Sequence, residues 1–269
     1  MNMNANACET CPVHNTGNLK RLGIDMSNFD FVVALAGNPN TGKSTVFNNL
    51  TGLKQHTGNW PGKTVSRAEG GFAYNNLKFK LVDLPGTYSL LSTSTDEEVA
   101  RDFILFGQPD VTVVVVDATR LERNLNLALQ ILEITDRVVL CLNLMDEAER
   151  HQIKIDERML SKDLGIPVIP VVARYNKGMN EILNSIYEVA TGKFVCKPYR
   201  IKSSSMELNY AVEKLSKMLL EEFPNLPNVK WVALRLLEGD QSVIDSIRNG
   251  ELGRIYKVEQ TKSELEQVV

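Results

Sequence analysis

The chain has 269 residues, of which 43% are hydrophobic and 23% are charged. This composition excludes a disordered, collagen-like or coiled-coil protein, and the length allows one large domain with a smaller second one. The formal net charge of −3 offers no general attraction to nucleic acid or to anionic lipid. We therefore expect no nucleic-acid partner.

The sequence favours a soluble chain in a reducing, cytosolic compartment. Its strongest apolar run, Val111–Val116, ends at Asp117 and is far shorter than the roughly 20 residues of a membrane-spanning helix. The first residues contain neither a basic leader nor an apolar stretch, unlike a secretory signal. Two of the four cysteines, Cys141 and Cys196, lie within apolar runs, which is not the pattern of a disulfide scaffold.

Residues 1–28 are polar and rich in asparagine, which predicts a flexible N-terminal tail. This segment contains Cys8, Cys11 and His14 at a spacing that could bind Fe²⁺ or Zn²⁺. Three ligands on a tail make an incomplete site, so the interpretation that we favour is a tail without metal. The metal-binding alternative stays open at this point.

Strands and helices alternate between residues 29 and 195, where apolar runs and period-two alternation predict six strands. Asn75 and Asn76 tolerate positive φ and predict a hairpin, whereas residues 54–63 contain two Gly and a Pro and predict a loop. The predicted strands are 31–36, 64–74, 77–83, 111–116, 138–142 and 168–172, and the predicted helices are 43–53, 123–135, 156–164 and 179–189. The sequence thus predicts an α/β domain at 29–195, with a mostly parallel six-stranded sheet and one antiparallel edge strand from the hairpin.

The pattern changes after Gly192. Apolar residues at helical spacing, without strand signals, predict a small all-helical domain at 200–269. The first of its helices ends at Phe223-Pro224, and further helices are predicted at 231–237, 243–247 and 255–265.

A phosphate-binding loop is predicted directly after the first strand. Residues 37–44 match G-x-x-x-x-G-K-[ST] between a strand and a helix, which is the context that the motif requires. Backbone N–H groups of such a loop donate to phosphate oxygens, the lysine neutralises the β- and γ-phosphates, and the hydroxyl of Ser44 is a ligand for Mg²⁺. A glycine-rich turn that matches by chance is the alternative. The nucleotide-binding residues predicted here are Gly37, Asn38, Pro39, Asn40, Thr41, Gly42, Lys43, Ser44 and Thr45.

Two further segments are predicted to contact Mg²⁺ and the γ-phosphate. Asp83 ends a strand at a position where P-loop NTPases hold Mg²⁺ through water, and the N–H of Gly86 can contact the γ-phosphate. Thr64 follows the predicted loop, and its hydroxyl can reach Mg²⁺ and order the loop while triphosphate is bound. An ordinary turn at 83–86 and a threonine at a strand entry are the alternatives. The residues assigned here are Gly62, Lys63, Thr64, Asp83, Leu84, Pro85 and Gly86.

Recognition of guanine is predicted after the last two strands. The carboxylate of Asp146 can accept from N1–H and from the 2-amino group of guanine, whereas adenine has neither donor, and such a pairing can discriminate by about four orders of magnitude. A helix entry with capping residues is the alternative. A backbone N–H of Ala173 or Arg174 could meet guanine O6. The residues assigned to the base are Asn143, Leu144, Met145, Asp146, Val172, Ala173 and Arg174.

With these four elements in order, residues 31–192 resemble the translation-factor-related GTPases of Ras-like G-domain fold. The closer similarity is to the N-terminal cytosolic G domain of the bacterial ferrous iron transport protein B (FeoB) family. Three features carry it: the phosphate loop spelled GNPNTGKS, the segment from Gly58 to Val65 spelled GNWPGKTV, and Asn143-x-x-Asp146 without the usual Lys in second place.

The resemblance implies GTP and GDP as ligands and a helical domain that acts as a GDP-dissociation inhibitor and links the G domain to a membrane permease. The permease is absent from these 269 residues. We therefore expect a fragment of a transporter whose full-length form lies in the bacterial inner membrane, with this part on the cytoplasmic side. Other iron-transport proteins are further expected partners.

Hydrolysis of GTP is predicted to be slow, because Thr87 follows Gly86 where Ras-like enzymes carry a glutamine that orients water. In FeoB-like GTPases an asparagine at the position of Asn40 helps to hold K⁺ against the phosphates, where the cation replaces an arginine finger. The resemblance thus implies activation by K⁺, and a loop-shaping role for Asn40 is the alternative. The residues assigned to catalysis are Asn40, Lys43, Thr64 and Gly86.

Two other classes of protein fit parts of the sequence. A soluble Era-like GTPase acting on RNA or ribosomes would usually carry a basic RNA-binding module, but the C-terminal segment is helical with mixed charge. A nucleotide sensor without hydrolytic activity would bind GTP and release no phosphate.

Overall fold

The computed structural model describes His14 and residues 16–53, 55–91, 94–200, 205–224 and 226–248. The chain divides into two compact units, Met1–Arg200 and Ile201–Val269. The strands of the first unit are β1 (Phe31–Gly37), β2 (Gln55–Asn59), β3 (Ser66–Tyr74), β4 (Leu77–Asp83), β5 (Val111–Asp117), β6 (Val138–Asn143) and β7 (Val168–Pro170). Its helices are α1 (Thr16–Arg21), α2 (Lys43–Thr51), α3 (Thr95–Asp102), α4 (Leu121–Ile134), α5 (Met145–Arg150), α6 (Glu157–Leu164) and α7 (Met179–Ala190), with a π-helical turn at Phe103–Gly107 and 3-10 turns at Ala118–Arg120 and Ala173–Tyr175.

The strands form one sheet in the order β2-β3-β4-β1-β5-β6-β7. The five strands from β4 to β7 in this order are parallel, and every residue of β1 and β6 is buried. Phe31, Val33 and Leu35 of β1 pack with apolar residues of α2 and α7 on one face, and Val32 on the opposite face is also fully buried. Burial on both faces explains the wholly apolar strands, and the predicted α/β fold is confirmed.

The sheet has one strand more than the six that the sequence predicts. Residues 55–59, predicted as part of a loop, form β2 and pair antiparallel with β3 from Gln55↔Gly70 to Asn59↔Ser66. β3 is antiparallel to its neighbours as predicted, but β2 is the edge strand. Residues 56–59 are exposed, so backbone hydrogen bonds rather than an apolar face define β2, and hydrophobic periodicity carries no signal for it.

The predicted hairpin between β3 and β4 is confirmed. Tyr74 pairs with Leu77, and the two residues between them, Asn75 and Asn76, have φ values of 49° and 64°. Positive φ at both central residues matches the right-handed twist of the strands. The turn thereby pairs β4 with β3, and the other edge of β4 pairs in parallel with β1, with Asp83 at the carboxyl end of β4.

Part of the predicted N-terminal tail is folded. Residues 16–21 form α1, in which Leu19 is fully buried. His14 Nδ1 lies 2.7 Å from Asp110 Oδ2, and Arg67 Nη1 donates to the carbonyl oxygen of Leu22 at 2.7 Å. The polar composition of residues 1–28 gives no indication of this folded part. A few contacts to buried groups stabilise it, and its described residues form no broad apolar face that a periodic pattern would reveal.

The candidate metal cluster of the tail is only partly described. Cys8 and Cys11 lie outside the described residues, and His14 is bonded to Asp110. Among the residues that the structure describes, no group of three or more His, Cys, Asp or Glu side chains could hold a metal ion.

In the second unit the described helices are α8 (Met206–Glu222), α9 (Val229–Leu237) and α10 (Gln241–Arg248). Helix α8 begins after Ser205, whose hydroxyl oxygen accepts from the N–H of Leu208 at 3.2 Å, as an N-cap should. The helix predicted at 255–265 lies outside the described residues. Nowhere in the described ranges does a helix combine the length and apolar character needed to cross a membrane.

Candidate functional site

The phosphate loop joins β1 to α2 at the carboxyl edge of the sheet. Asn40 and Gly42 have φ values of 65° and 83°, and the Thr41 hydroxyl donates to the carbonyl oxygen of Asn38 at 2.9 Å, so the loop curls back on itself. Helix α2 begins at Lys43, which leaves N–H groups of its first turn without intrahelical partners. These N–H groups and the helix dipole form a site for an anion.

The side chain of Lys43 forms an ion pair with Asp83 at the end of β4. Both groups are largely buried, with 12% and 19% of their side chains exposed. Burial raises the pKa of Asp83 above its usual value, and the Lys43 ammonium acts against this rise. The predicted phosphate lysine and the predicted Mg²⁺ aspartate therefore meet directly, although they are 40 residues apart in the chain.

Asn143 connects the phosphate loop to the segment after β7. Its Nδ2 donates to the carbonyl oxygen of Thr41 at 2.9 Å, and its Oδ1 accepts from the N–H of Ala173 at 3.0 Å. The side chain approaches Gly42 so closely that a Cβ at position 42 would clash with its amide. Asn143 is 1% exposed, and its amide thereby fixes the two loops relative to each other.

The substitution Asn143→Ala is expected to lower the free energy of unfolding by about 1–3 kcal/mol for each buried group that loses its partner, here the Thr41 carbonyl and the Ala173 N–H. Urea unfolding followed by circular dichroism measures this loss. Asn180→Ala, at an exposed position of α7, is the control and should change the stability by no more than about 0.5 kcal/mol. Equal unfolding midpoints for the two variants would contradict the bridging role.

Asp146 lies in the first turn of α5 and has two different oxygen environments. Oδ2 accepts from Nη2 of Arg150 at 3.2 Å and from Nη2 of Arg174, whereas Oδ1 is buried and has no partner within the described ranges. Burial acts to raise the pKa of Asp146, but the two guanidinium groups outweigh it and hold the pKa below its usual value. Asp146 also lines a cavity of about 1050 Å³ together with Met145, Val172 and Lys177.

The segment after β7 only partly matches the prediction. The N–H of Ala173 donates to Asn143, so in this structure it is already hydrogen-bonded within the protein. The backbone of Val172 pairs with Lys177 in an isolated bridge, which closes a short turn around Ala173–Tyr175. Both N–H groups stay predicted donors for guanine O6, and that of Ala173 would first have to give up its bond to Asn143.

Within the described ranges no hydrogen bond joins the predicted switch threonine to the phosphate loop. Thr64 is exposed, and among the described residues its side chain has no hydrogen-bond partner. Its neighbour Lys63 forms an ion pair with Glu98 of α3. Trp60 is 3% exposed and packs edge-on against Phe103 with ring centroids 5.5 Å apart. These contacts hold the segment against α3 and the π-helical turn.

Residues 84–87 pass next to the phosphate loop. The N–H of Leu84 donates to the carbonyl oxygen of Leu35 at 2.9 Å, and the N–H of Thr87 donates to that of Gly37 at 3.3 Å. A Cβ at Gly86 would lie 3.4 Å from the backbone nitrogen of Pro39. The predicted γ-phosphate contact is therefore adjacent to the predicted phosphate loop, and the side chain of Thr87, 4% exposed, is buried.

Three features of the site are not among the sequence predictions. Arg150 contacts Asp146 from four residues further along α5, and that i,i+4 spacing is a readable signal. Trp60 is buried in a Gly- and Pro-containing segment, where a large aromatic residue indicates an anchor. Asn38 is one of the predicted nucleotide-binding residues, but its burial with both amide atoms unpartnered in the described part of the chain is not predicted, because no sequence signal distinguishes it from its neighbours.

Comparison with known proteins gives the family. The profile of ferrous iron transport protein B matches residues 31–186, and that of the FeoB cytosolic helical domain matches residues 205–269. The Fe(2+) transporter FeoB of Salmonella typhimurium is 42% identical over 212 residues, which cover 77% of this chain and 27% of that protein. The chain thus spans about a quarter of the length of this relative.

Solved structures agree with this match. The cytosolic domain of T. maritima FeoB in its apo form is 37% identical with a TM-score of 0.72, and the match covers 84% of this chain and 86% of that chain. That domain is also known in GDP and GMPPNP forms. The cytosolic domain of L. pneumophila FeoB is 33% identical with a TM-score of 0.73, over 88% and 92% of the two chains. The chain therefore belongs to the FeoB family, in which it corresponds to the N-terminal G domain and the cytosolic helical domain.

Proposed function

We infer that the chain binds GTP and GDP with Mg²⁺ and hydrolyses GTP slowly to GDP and phosphate, as the nucleotide-controlled regulatory part of a bacterial ferrous iron transporter. The observation that carries this proposal is the meeting of Lys43, Asp83 and the phosphate loop at the same sheet edge as Asp146. The GDP and GMPPNP forms of the T. maritima relative support it.

The proposal also concerns the domains and their setting. Residues 29–195 would be the G domain and residues 200–269 the helical domain, in line with the two family profiles. The membrane permease of the complete transporter would be the main partner, with other iron-transport proteins as further partners. The chain would then lie on the cytoplasmic side of the bacterial inner membrane.

The residues of this chain would bind the phosphates through three kinds of contact. N–H groups from Asn40 to Ser44 donate to phosphate oxygens, Lys43 neutralises their charge, and the Gly86 N–H meets the γ-phosphate. Lys43 must then exchange part of its contact with Asp83 for a contact with phosphate. Residues 62–64 would approach the γ-phosphate only after the contacts of Lys63 and Trp60 with α3 and the π-helical turn have loosened.

The residues present fit Mg²⁺, which prefers hard oxygen ligands. The exposed hydroxyl of Ser44 lies next to Lys43 at the start of α2, and the Asp83 carboxylate lies at Lys43 as well. Ser44, Asp83 and, after a rearrangement, Thr64 would hold the ion. When bound, Mg²⁺ neutralises charge on the phosphate oxygens.

Slow turnover is supported by the position of Thr87. Its side chain is buried and its N–H is bonded to Gly37, so it cannot reach out to orient a water molecule as the longer glutamine of Ras-like enzymes does. Asn40, Lys43, Thr64 and Gly86 remain the residues that we assign to catalysis.

GTP turnover is expected to be faster in KCl than in NaCl, and Asn40→Ala should lose this difference. The Asn40 side chain is exposed on the phosphate loop and has no hydrogen-bond partner among the described residues, so its amide oxygen fits a monovalent cation, which when bound stabilises transition-state charge. Phosphate release at equal salt concentrations measures the effect. Equal rates in both salts, or an unchanged K⁺ response in Asn40→Ala, would contradict this role.

Calorimetry with GTP, GDP and ATP in the presence of Mg²⁺ tests the function as a whole. We expect heat from both guanine nucleotides and none from ATP, and slow phosphate release from GTP. If the chain binds GTP but releases no phosphate, it is a nucleotide sensor and not an enzyme.

A further inference from the structure

The contacts of Asp146 leave its two oxygen atoms unequally available. Oδ2 accepts a hydrogen bond from the guanidinium of Arg174 and a second one, at 3.2 Å, from that of Arg150. Oδ1 is buried and receives no hydrogen bond from the described residues. A buried carboxylate oxygen without a donor is costly, so Oδ1 is the oxygen with unused acceptor capacity, whereas Oδ2 already accepts from two guanidinium groups.

Arg174 is fixed in this position although 43% of its side chain is exposed. Its Nη1 lies 3.6 Å from Oε1 of Glu147, and its guanidinium lies 4.8 Å from the centre of the Tyr175 ring. The 3-10 turn that carries Arg174 is tied through Ala173 to the buried amide of Asn143. The guanidinium therefore meets Asp146 from a backbone position that buried hydrogen bonds define.

Guanine would require both oxygens of Asp146. Its N1–H and 2-amino group are adjacent donors on one edge of the base, and they match the two oxygens of a single carboxylate. Hypoxanthine, the base of IDP, has N1–H but no 2-amino group and requires only one oxygen. Oδ1 can serve either base, whereas the second bond to guanine competes with Arg174.

We propose that Arg174 is an internal competitor of guanine, because its guanidinium occupies the Asp146 oxygen that the 2-amino group requires. Arg174 thereby limits the affinity for guanine nucleotides and their rate of association, and it is a specificity-determining residue that acts through Asp146. The inference rests on the proposed function, since it concerns the same base-reading carboxylate. A supporting role, in which Arg174 stacks on the base or orients Asp146, makes the opposite prediction for its removal.

The experiment measures GDP and IDP affinities of the full chain and of Arg174→Met. An ion pair of this exposure changes an equilibrium by about two- to fivefold, so the affinity for GDP should rise by that factor while the affinity for IDP stays nearly constant. Stopped-flow mixing with a fluorescent GDP analogue should show that the gain lies in faster association.

Lys177→Met is the matched control, because Lys177 lines the same cavity and, in the described part of the chain, makes no ion pair with Asp146. It should leave both affinities unchanged. Arg174→Lys keeps the charge but not the planar fork and should lie between the parent and Arg174→Met, so it provides a second measurement if the methionine variant does not fold.

Three results would overturn the inference while leaving the proposed function intact: a lower affinity for GDP in Arg174→Met, an unchanged one, or equal changes for GDP and IDP. If the parent chain binds neither GDP nor GTP, the proposed function and this inference both fail. The two failures are distinguishable because the parent chain is measured first.

Discussion

Replacing Lys43 with alanine is expected to weaken the binding of GTP and GDP by about 30- to several-thousand-fold. The removal of one partner of a desolvated charge pair costs about 2–5 kcal/mol. Lys43 is the first residue of α2 and is largely buried beside Asp83, so its ammonium is held where the loop of N–H groups would present the β- and γ-phosphates. Calorimetry with each nucleotide and Mg²⁺ measures the loss.

Loss of binding must be separated from loss of folding, because Lys43→Ala leaves the partly buried Asp83 without its counter-ion. The double variant Lys43→Ala/Asp83→Asn removes that charge and should unfold closer to the parent temperature, still without binding nucleotide. Lys193→Ala is the matched control, because its ammonium is bonded to the Tyr187 hydroxyl and not to any predicted site residue. An affinity of Lys43→Ala within threefold of the parent would refute the assignment of the phosphate loop.

The substitution Asp146→Ala is expected to reduce the preference for GTP over ATP by about 10²–10⁴-fold, because guanine then loses the acceptor for both of its edge donors. Adenine has no such donors, so binding of ATP should change little. Competition of GTP and ATP against a fluorescent GDP analogue measures the preference. Arg150 and Arg174 hold the pKa of Asp146 below its usual value, so the carboxylate stays ionised and the preference of the parent should be constant between about pH 5 and pH 8.

Glu149→Ala is the control for this experiment. Glu149 belongs to the same helix and lines the same cavity as Asp146, so the variant removes an equal charge from nearly the same place. Its preference for GTP should equal that of the parent. A similar loss in both variants would mean that negative charge in the cavity, and not paired hydrogen bonds to Asp146, selects the base.

The fold and the phosphate loop could be predicted because their signals are local. The run of apolar residues from Phe31 requires burial on both faces, and the Gly-rich turn between a strand and a helix places N–H groups by backbone geometry alone. The strand β2 and the folded part of the N-terminal segment could not be predicted in this way. Backbone pairing at a sheet edge and single contacts such as His14 with Asp110 leave no periodic pattern in the sequence.

In the candidate site, too, local sequence signals predict some features and tertiary contacts determine the others. Short motifs identify Lys43, Asp83, Asn143 and Asp146. These motifs do not predict which other residues the four side chains contact. The exposed position of Thr64, next to Lys63 in a segment that Trp60 and Lys63 anchor, follows from packing against α3 and the π-helical turn. A motif identifies residue types, but it does not predict where an adjacent segment packs in the folded protein.

The sequence alone was enough to establish the α/β class, the strand–loop–helix that would hold phosphates, the helical C-terminal part and the resemblance to the FeoB family. Tertiary structure decided which groups meet: Asn143 with Thr41 across 102 residues, and Arg174 with Asp146 across 28. The physical reason is that a local motif acts through its own backbone conformation, whereas these contacts depend on the order and register of strands. That order is set by the packing of the whole sheet, and no short segment of the chain encodes it.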